Sequence, residues 1–494
     1  ALGAERARLV RQVLVESLAV FVLAGALGVG WAGLALRALA SWVPTSVPRL
    51  GNVELDLPVV AVALAVAALA GLASGLVPAL QSAGSSGLGT RRALGRSLPR
   101  LRAGLVGAQV ALALVLLVAG GAMLQAVRGQ LAIDPGFRSE GLITFSLALP
   151  RAQYQEQATL VDFWDGLFEG LEALPGVRSA GAVSFAPLSG LGAATSYHPA
   201  DRPAPPPGES IYTDVRVVAG DFHRTLGIPL LAGRLFDEQD RTPSDRRPVV
   251  VSRALAEEAW PGEAALGREL VVSWGGPETS VVIGVVGDVR YTDLSTEPRA
   301  ALYWPIELEP SLAMTASVAT EGDPQALAPA IRSTVAAADP GIPIESLRTM
   351  RSVVRDSVAR ERFALQVVSA FGLVALALAA VGLYGAMTLL VRARRSEIGL
   401  RLALGASPGG VARAVVGRAL RLVTAALLVG VALAAAGGRI AGAAIGSLFG
   451  EVSIVEPAVL GGAVAALLLA ALLASAPAAV RAARLDPATT LREE

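Results

Sequence analysis

Six long runs without a charged side chain constrain most strongly what this chain can fold into. A helix needs about 20 residues to cross the ~30 Å hydrocarbon core of a bilayer. The shortest run, Leu422–Gly438, continues past Arg439, and an arginine near a helix end can extend its charge to the interface. We therefore predict an α-helical membrane protein with six transmembrane helices, at Ser17–Leu36, Leu57–Leu80, Ala103–Val127, Phe363–Val391, Leu422–Gly438 and Pro457–Val480.

The composition removes several functional classes. Charged residues make up 17% of the 494 residues, against roughly 25% in soluble proteins. The net charge of +1 gives no reason to expect a nucleic-acid partner. Cysteine is absent, which excludes disulfides and thiolate catalysis, and the two histidines, His198 and His223, leave little for a metal cluster. We interpret both histidines as surface residues.

All 42 basic residues of the chain are arginine. A Walker A loop requires a lysine that reaches the β- and γ-phosphates, and no position of this sequence can supply one. If ATP drives this protein, we expect hydrolysis on another polypeptide.

Arginine placement predicts the orientation of the six spans. Gln81–Arg102 contains five arginines and no acidic residue, and Arg392–Arg421 contains seven arginines with Glu397 as its only acid. Both segments are therefore expected in the cytoplasm, together with the two chain ends. Arg128–Arg362 is expected on the outside.

The outer segment has the pattern of a mixed α+β domain in two lobes. Helical periodicity is expected around Gln155–Leu174, Ser252–Ala259 and Pro324–Ala338, and the proline-rich Arg202–Gly208 is expected to be a loop. Strands are expected at Leu142–Leu149, Val177–Ala186, Tyr212–Val218, Pro248–Ser252, Ser280–Val286 and Ala313–Thr320.

Two parts of the chain look like copies of one two-span unit. Ala1-Leu-Gly-Ala4 recurs as Ala403-Leu-Gly-Ala406, and equal spacing from these phrases aligns Arg11 with Arg413 and Arg37 with Arg439. We interpret 1–83 and 403–483 as an internal repeat, which predicts a membrane assembly with pseudo-twofold symmetry.

Several phrases resemble one family of permeases. The stretch Arg394-Arg-Ser-Glu-Ile-Gly-Leu-Arg401-Leu-Ala-Leu-Gly-Ala-Ser407 resembles the cytoplasmic motif of FtsX-like permeases. Asp134–Phe137, Gly227–Phe236 and Val285–Val289 resemble the MacB-type periplasmic domain, and Arg484–Ala488 resembles the family's tail. In this order, with these spans between them, the phrases make the chain similar to ABC-exporter permeases of the MacB/FtsX type.

The doubled arrangement resembles the group called ADOP, whose permeases carry two such units in one chain. In that group another outer domain and its flanking spans precede the first copy. Since this chain starts at Ala1 without a methionine, we expect it to be an N-terminally truncated, ADOP-like duplicated permease.

The resemblance implies a permease subunit in the bacterial cytoplasmic (inner) membrane, without enzyme activity and with no cofactor of its own. A separate ABC ATPase, as a dimer, would bind ATP and drive motion of the extracytoplasmic domain in export or mechanotransmission. Membrane lipids, a periplasmic adaptor and an outer-membrane channel are further expected partners. The alternative is an FtsX-like transmembrane activator or scaffold for a periplasmic enzyme, with no transported substrate.

The resemblance also assigns an ATPase-coupling segment, made of Arg394, Arg395, Glu397, Arg401, Gly405, Ala406 and Ser407. A first-copy coupling segment would comprise Leu2, Gly3, Ala4 and Arg11. From the residue pattern alone, an interfacial helix whose arginines contact anionic headgroups is an equally good interpretation.

Gly405-Ala-Ser407-Pro-Gly409 also matches the nucleophile-elbow pattern of hydrolases. A helical segment precedes it, however, and both histidines lie in the outer segment. We therefore interpret Ser407 as a helix N-cap with Pro408 at the first helical position, and we expect no catalytic, cofactor or metal residues.

The expected domain organisation follows from these elements. It consists of a partial first FtsX-like unit at 1–83 with spans about 17–40 and 57–80, an arginine-rich cytoplasmic linker at 84–102, a transmembrane helix at 103–127, a MacB-like extracytoplasmic domain at 128–362, and a second FtsX-like unit at 363–494 with spans about 363–391, 422–445 and 457–480.

Overall fold

A computed structural model describes residues 6–40, 56–83, 88–206, 208–241, 246–449 and 456–485. The chain divides into two compact units, one of Ala1–Ala126 with Ala359–Glu494 and the other of Val127–Val358. We call them the helical unit and the outer unit.

The described helices are α1 Arg6–Ala40, α2 Leu57–Ala83, α3 Leu88–Ala132, α4 Gln157–Glu172, α5 Phe222–Leu226, α6 Arg253–Ala259, α7 Ala328–Ala338, α8 Met350–Ser357, α9 Ala359–Ala393, α10 Arg395–Ala403, α11 Pro408–Phe449 and α12 Pro457–Ala483. The described strands are β1 Leu142–Ala148, β2 Val177–Val183, β3 Ala193–Pro199, β4 Ile211–Gly220, β5 Leu230–Gly233, β6 Arg247–Ser252, β7 Glu269–Ser273, β8 Pro277–Val286, β9 Ala301–Pro305, β10 Ala313–Thr320 and β11 Glu345–Thr349.

Six helices among the described residues are long and apolar enough to cross a membrane, namely α1, α2, α3, α9, α11 and α12. This confirms the helical part of the predicted fold. The helix α3 begins at Leu88, so most of the segment expected as a linker is helical. The helix α11 continues past Arg439 to Phe449, as the sequence predicted.

The last four of these helices share one apolar core. Side chains of α3, α9, α11 and α12 meet in it, among them Leu114, Leu383, Val423 and Leu467. The helices α1 and α2 pack against each other through small residues. A Cβ atom added at Gly71 would lie 2.8 Å from the Cβ of Phe21, so a larger side chain there would separate the two helices.

The outer unit is built on one mixed sheet, and strand β4 is shared by two groups of its strands. On one side the order is β11-β1-β10-β2-β4, all antiparallel, and α4 and α7 cover a face of these strands. On the other side β4, β3, β7, β8, β6 and β9 follow one another, and β9 pairs in parallel with β4, so these strands form a closed ring. The mixed α+β domain with two lobes is confirmed.

The described strands exceed those expected from the sequence. All six predicted strands are present, with ends that differ by up to three residues. The strands β3, β5, β7, β9 and β11 were missed because they are short or mixed in polarity, and β9 ends in a proline. Pairing with long neighbours, rather than local propensity, holds such segments in the sheet.

One expectation about the outer unit is wrong. His223 does not lie on the surface, since only 3% of it is exposed. It lies on the short helix α5, which packs against β2 and β10, and its ring contacts Tyr303 edge-on with 4.7 Å between ring centroids. His198 lies on β3 and is partly exposed.

Candidate functional site

The predicted coupling segment forms a hairpin of α10, a tight turn and the start of α11, which we call the α10–α11 hairpin (394–411). Helix α10 ends at Ala403, and Gly405, two residues farther on, has a φ of +91° that only glycine adopts readily. The amide of Gly405 donates to the carbonyl of Leu402 (3.1 Å) and the amide of Ala406 to that of Arg401 (3.0 Å). This pair of bonds is a Schellman motif, which closes the helix and reverses the chain.

Ser407 begins the next helix directly after the turn. Its Oγ accepts a hydrogen bond from the amide of Gly410 at 3.2 Å, and Pro408 occupies the first helical position. The interpretation of Ser407 as an N-cap is thereby confirmed, and its hydroxyl serves the helix end.

One face of the hairpin is anchored to the helical unit. Ile398, 8% exposed, packs in a cluster with Val391 of α9 and with Val411 and Val415 of α11. Ala479 and Ala482 of α12 complete the cluster. The hairpin is therefore held against the ends of α9 and α12 and against the continuation of α11.

The other face of the hairpin carries charge and exposed apolar surface. Glu397 pairs with Arg394 at 3.4 Å and with Arg401 at 2.7 Å, and all three side chains are between 43% and 63% exposed. Leu400 is 51% exposed and Leu404 is 80% exposed. Two leucines beside an exposed ion-paired triad form a surface suited to a protein partner, because interfaces combine apolar anchors with a polar rim.

The structure brings most of the predicted coupling residues together. Arg395 is the first residue of α10, while Gly405, Ala406 and Ser407 form the turn. Arg11 is exposed on α1, and its role in a first-copy segment stays a prediction. Leu2, Gly3 and Ala4 lie outside the described residues.

Sequence reasoning missed the two exposed leucines. Leu400 and Leu404 are one helical turn apart, and Leu404 follows Arg401 by three residues, so the spacing places them beside the charged residues. The sequence signal that could have found them is their helical spacing, which places both leucines away from the anchoring residue Ile398.

A second polar cluster is buried in the outer unit. Arg216 of β4 is 1% exposed, donates to Asp214 at 2.9 Å, and stacks on the ring of Tyr291 at 4.1 Å from its centroid. The hydroxyl of Tyr291 donates to that of Tyr303 at 3.3 Å, and the ring of Tyr303 contacts His223. Burial raises the pKa of Tyr291 to about 12 and lowers the pKa of His223 to about 3.

The polar atoms of this buried cluster are only partly paired within the described ranges. Among the described residues, Nε and Nη1 of Arg216 and Nε2 of His223 have no hydrogen-bond partner, although most buried polar atoms in proteins have one. Within the described ranges, no group of three or more His, Asp or Glu residues is placed to hold a metal ion.

Comparison with protein families gives two matches along the chain. The model of the MacB-like periplasmic core domain matches residues 107–348, and that of the FtsX-like permease C-terminal domain matches residues 369–487. The chain belongs to the MacB/FtsX-type ABC permeases. It is thus an inner-membrane protein with an extracytoplasmic domain, and the α10–α11 hairpin lies in the matched FtsX-like region.

Solved structures similar to this chain each cover less than half of it. The periplasmic region of MacB from Actinobacillus actinomycetemcomitans is 12% identical with a TM-score of 0.30, over 45% of this chain and 94% of that one. The extracellular domain of the noncanonic ABC-type transporter YknZ from Gram-positive bacteria is 16% identical with a TM-score of 0.26, over 42% and 100%. A domain of a protein described as a permease from Porphyromonas gingivalis is 16% identical with a TM-score of 0.28, over 43% and 91%. A search of curated proteins finds no match.

Proposed function

We propose that this permease subunit couples a separate ATPase to motion of its extracytoplasmic domain, and that the ATPase docks on the exposed face of the α10–α11 hairpin. The observation that carries the proposal is the asymmetry of this hairpin. Ile398 anchors one face to α9, α11 and α12, while Leu404, 80% exposed, has no such packing on the other.

The anchoring gives a route for motion. A force on Leu404 or Arg401 acts on a short helix that is fixed to the end of α9 through Val391. Helix α9 follows the outer unit directly in the chain, since Ala359 succeeds Val358. A tilt or shift of α9 therefore reaches the outer unit through the covalent chain.

Within the outer unit, strand β4 can carry motion between the two lobes. It pairs with β2 in the first lobe and with β3 and β9 in the second. Backbone hydrogen bonds on β4 thus connect strands of both lobes directly, which supports a mechanical role for this domain.

The partner in this proposal is a polypeptide that has a P-loop, because this chain contains no lysine. The arginine-rich Arg392–Arg421 then faces the cytoplasm, where ATP is available. Leu404 would fill an apolar pocket of the ATPase, while Glu397 and Arg401 would exchange part of their mutual pairing for contacts with the partner.

The test is a pull-down of the cognate ATPase by the full chain in detergent. Leu404→Glu, Glu397→Arg and Arg401→Glu are each expected to weaken binding by about 2–5 kcal/mol if the contact is buried in the complex. The matched control is Arg178→Glu, which reverses an exposed charge in the outer unit and is expected to bind normally.

A double variant separates docking from helix stability. Glu397→Arg combined with Arg401→Glu keeps an ion pair within α10 but reverses its direction. If the pair only stabilises the helix, this variant binds like the wild type, whereas docking predicts that binding stays weak. Wild-type binding by all four variants would overturn the proposal.

A further inference from the structure

The helical unit contains an apolar crevice between α9 and α12. Its floor is formed by buried side chains of four helices, including Val110, Leu383, Val423 and Leu467. Its rim is only partly buried and consists of Leu376, Ala380 and Ala470. The rim alanines have the smallest side chains that a helix commonly carries, and the crevice they border is small, with about 200 Å³ of space that is partly open to the surroundings.

One end of the crevice is marked by a tyrosine and an arginine. Tyr384 of α9 follows the lining residue Leu383 and lies one turn beyond Ala380. Arg481 of α12 lies 11 residues beyond Ala470, a separation that returns to nearly the same face of a helix, about 16 Å farther along. Nη1 of Arg481 donates to the Tyr384 hydroxyl at 2.9 Å, so the two residues close the same end of the slot.

The guanidinium of Arg481 has spare capacity for an anion. It lies 5.9 Å from the centre of the Tyr384 ring, and its side chain is exposed. Within the described ranges no carboxylate forms an ion pair with it, although an arginine has five N–H donors. The hydrogen bond to Tyr384 fixes the direction of the guanidinium without neutralising it.

The surrounding charge is also one-sided. At this end of the helical unit, the acidic residue Glu397 is already paired with Arg394 and Arg401. Further exposed arginines there are Arg392, Arg413, Arg418, Arg421 and Arg484. A cationic rim above an apolar slot is complementary to a molecule with a negative head and a hydrocarbon tail.

We infer that this crevice binds an anionic phospholipid, with part of one acyl chain packed along its opening between α9 and α12 and the phosphate on Arg481 beside Tyr384. The occupant is a lipid rather than an acidic protein segment because the slot is lined by apolar side chains that offer no partner to a peptide backbone. The site is separate from the exposed face of the α10–α11 hairpin, which uses Leu400, Arg401 and Leu404.

The experiment measures phosphatidylglycerol retained by the purified full chain, by native mass spectrometry, after exchange from detergent micelles that contain it. Arg481→Gln is expected to lower the bound fraction about fivefold, the effect of one basic residue at an anionic surface. Arg481→Lys keeps the charge and is expected to retain most of the lipid. The matched control is Arg151→Gln, an exposed arginine of the outer unit, with unchanged retention.

A second variant tests the slot independently of the charge. Ala470→Leu places a larger side chain at the rim and is expected to reduce retention while Arg481 remains in place. Phosphatidylcholine, which has no net charge, is expected to be retained less than phosphatidylglycerol by the wild type, and free glycerol phosphate is expected not to displace the lipid. Wild-type retention by either Arg481→Gln or Ala470→Leu would overturn the inference, as would displacement by glycerol phosphate.

Discussion

Two arginine–carboxylate pairs of similar length occupy opposite environments in this protein. Arg216 and Asp214 of the outer unit are 2.9 Å apart, with side chains 1% and 10% exposed. Arg401 and Glu397 of the α10–α11 hairpin are 2.7 Å apart, with side chains 63% and 43% exposed. Distance alone would rank them together, but their surroundings give them different roles.

The difference lies in what happens to each charge when its partner is lost. A buried charge left without its partner has no water to replace it, so breaking such a pair is strongly destabilising. An exposed charge is solvated at once, and a surface pair contributes little to folding. The first pair therefore belongs to the structure of the domain, and the second is free to exchange partners with another protein.

The largest expected effect is on the buried pair. Arg216→Met removes the cation and leaves the buried carboxylate of Asp214 with Arg299 as its nearest described cation, at 3.9 Å. The free energy of unfolding is expected to fall by about 3–5 kcal/mol. Denaturant unfolding of the detergent-solubilised chain, followed by tryptophan fluorescence, measures it.

A double variant sharpens this prediction. Asp214→Asn together with Arg216→Met removes both charges, and it should recover a large part of the lost stability because no ion then remains buried. A double variant less stable than Arg216→Met alone would contradict the explanation by desolvation.

The buried His223, which contacts Tyr303 of the same cluster, should make stability depend on pH. Burial lowers the pKa of His223 from 6.5 to about 3. Because the unfolded state then binds the proton more tightly, this stability is fully present above pH 6.5 and is lost as the pH falls toward 3. Between pH 6.5 and 5 the loss is about 2 kcal/mol, at about 1.4 kcal/mol per pH unit.

The measurement for His223 is the slope of unfolding free energy against pH. His223→Phe is expected to remove most of the slope over this range, whatever its effect on absolute stability. An equal slope in both proteins would show that other groups control the pH dependence.

The local stability of the α10–α11 hairpin is expected to depend more on the backbone conformation of its turn than on its exposed ion pairs. Gly405→Ala forces a side chain into the left-handed region and is expected to cost about 1–2 kcal/mol of local stability. Gly409→Ala is the matched control, since nothing lies within 4 Å of an added Cβ there and alanine favours a helix. Hydrogen exchange of amides 395–411 should therefore accelerate in the first variant and not in the second.

The smallest expected effect on folding concerns the exposed pair itself. Glu397→Gln should change the free energy of unfolding by about 0.5 kcal/mol or less, because the lost pairs are solvated and lie within one helix. If the comparison between the two pairs is right, this same variant weakens ATPase binding. A loss of stability as large as that of Arg216→Met would contradict the different roles assigned to the exposed and the buried pair.

Particular elements show how far the sequence could be interpreted. The ending of α10 was readable, because Gly405 followed by Ser407 and Pro408 is a helix stop followed by a helix start. The five short strands were not readable, since β3 and β11 carry polar residues at positions that only their neighbours in the sheet make compatible with a strand. Leu404 could be placed on a helix, yet its exposure depends on which face Ile398 anchors.

The sequence by itself determined the six apolar spans, the mixed domain between them and the turn of the hairpin, because length, hydropathy and backbone preference act locally. Only the tertiary structure decided that β9 pairs with β4, since these strands are far apart in the chain and the closed ring depends on all its members. It also decided that Arg216 and His223 are buried. Asp214 and Arg216 share a face of β4 by alternation, but whether that face meets solvent or Tyr291 depends on packing from distant segments.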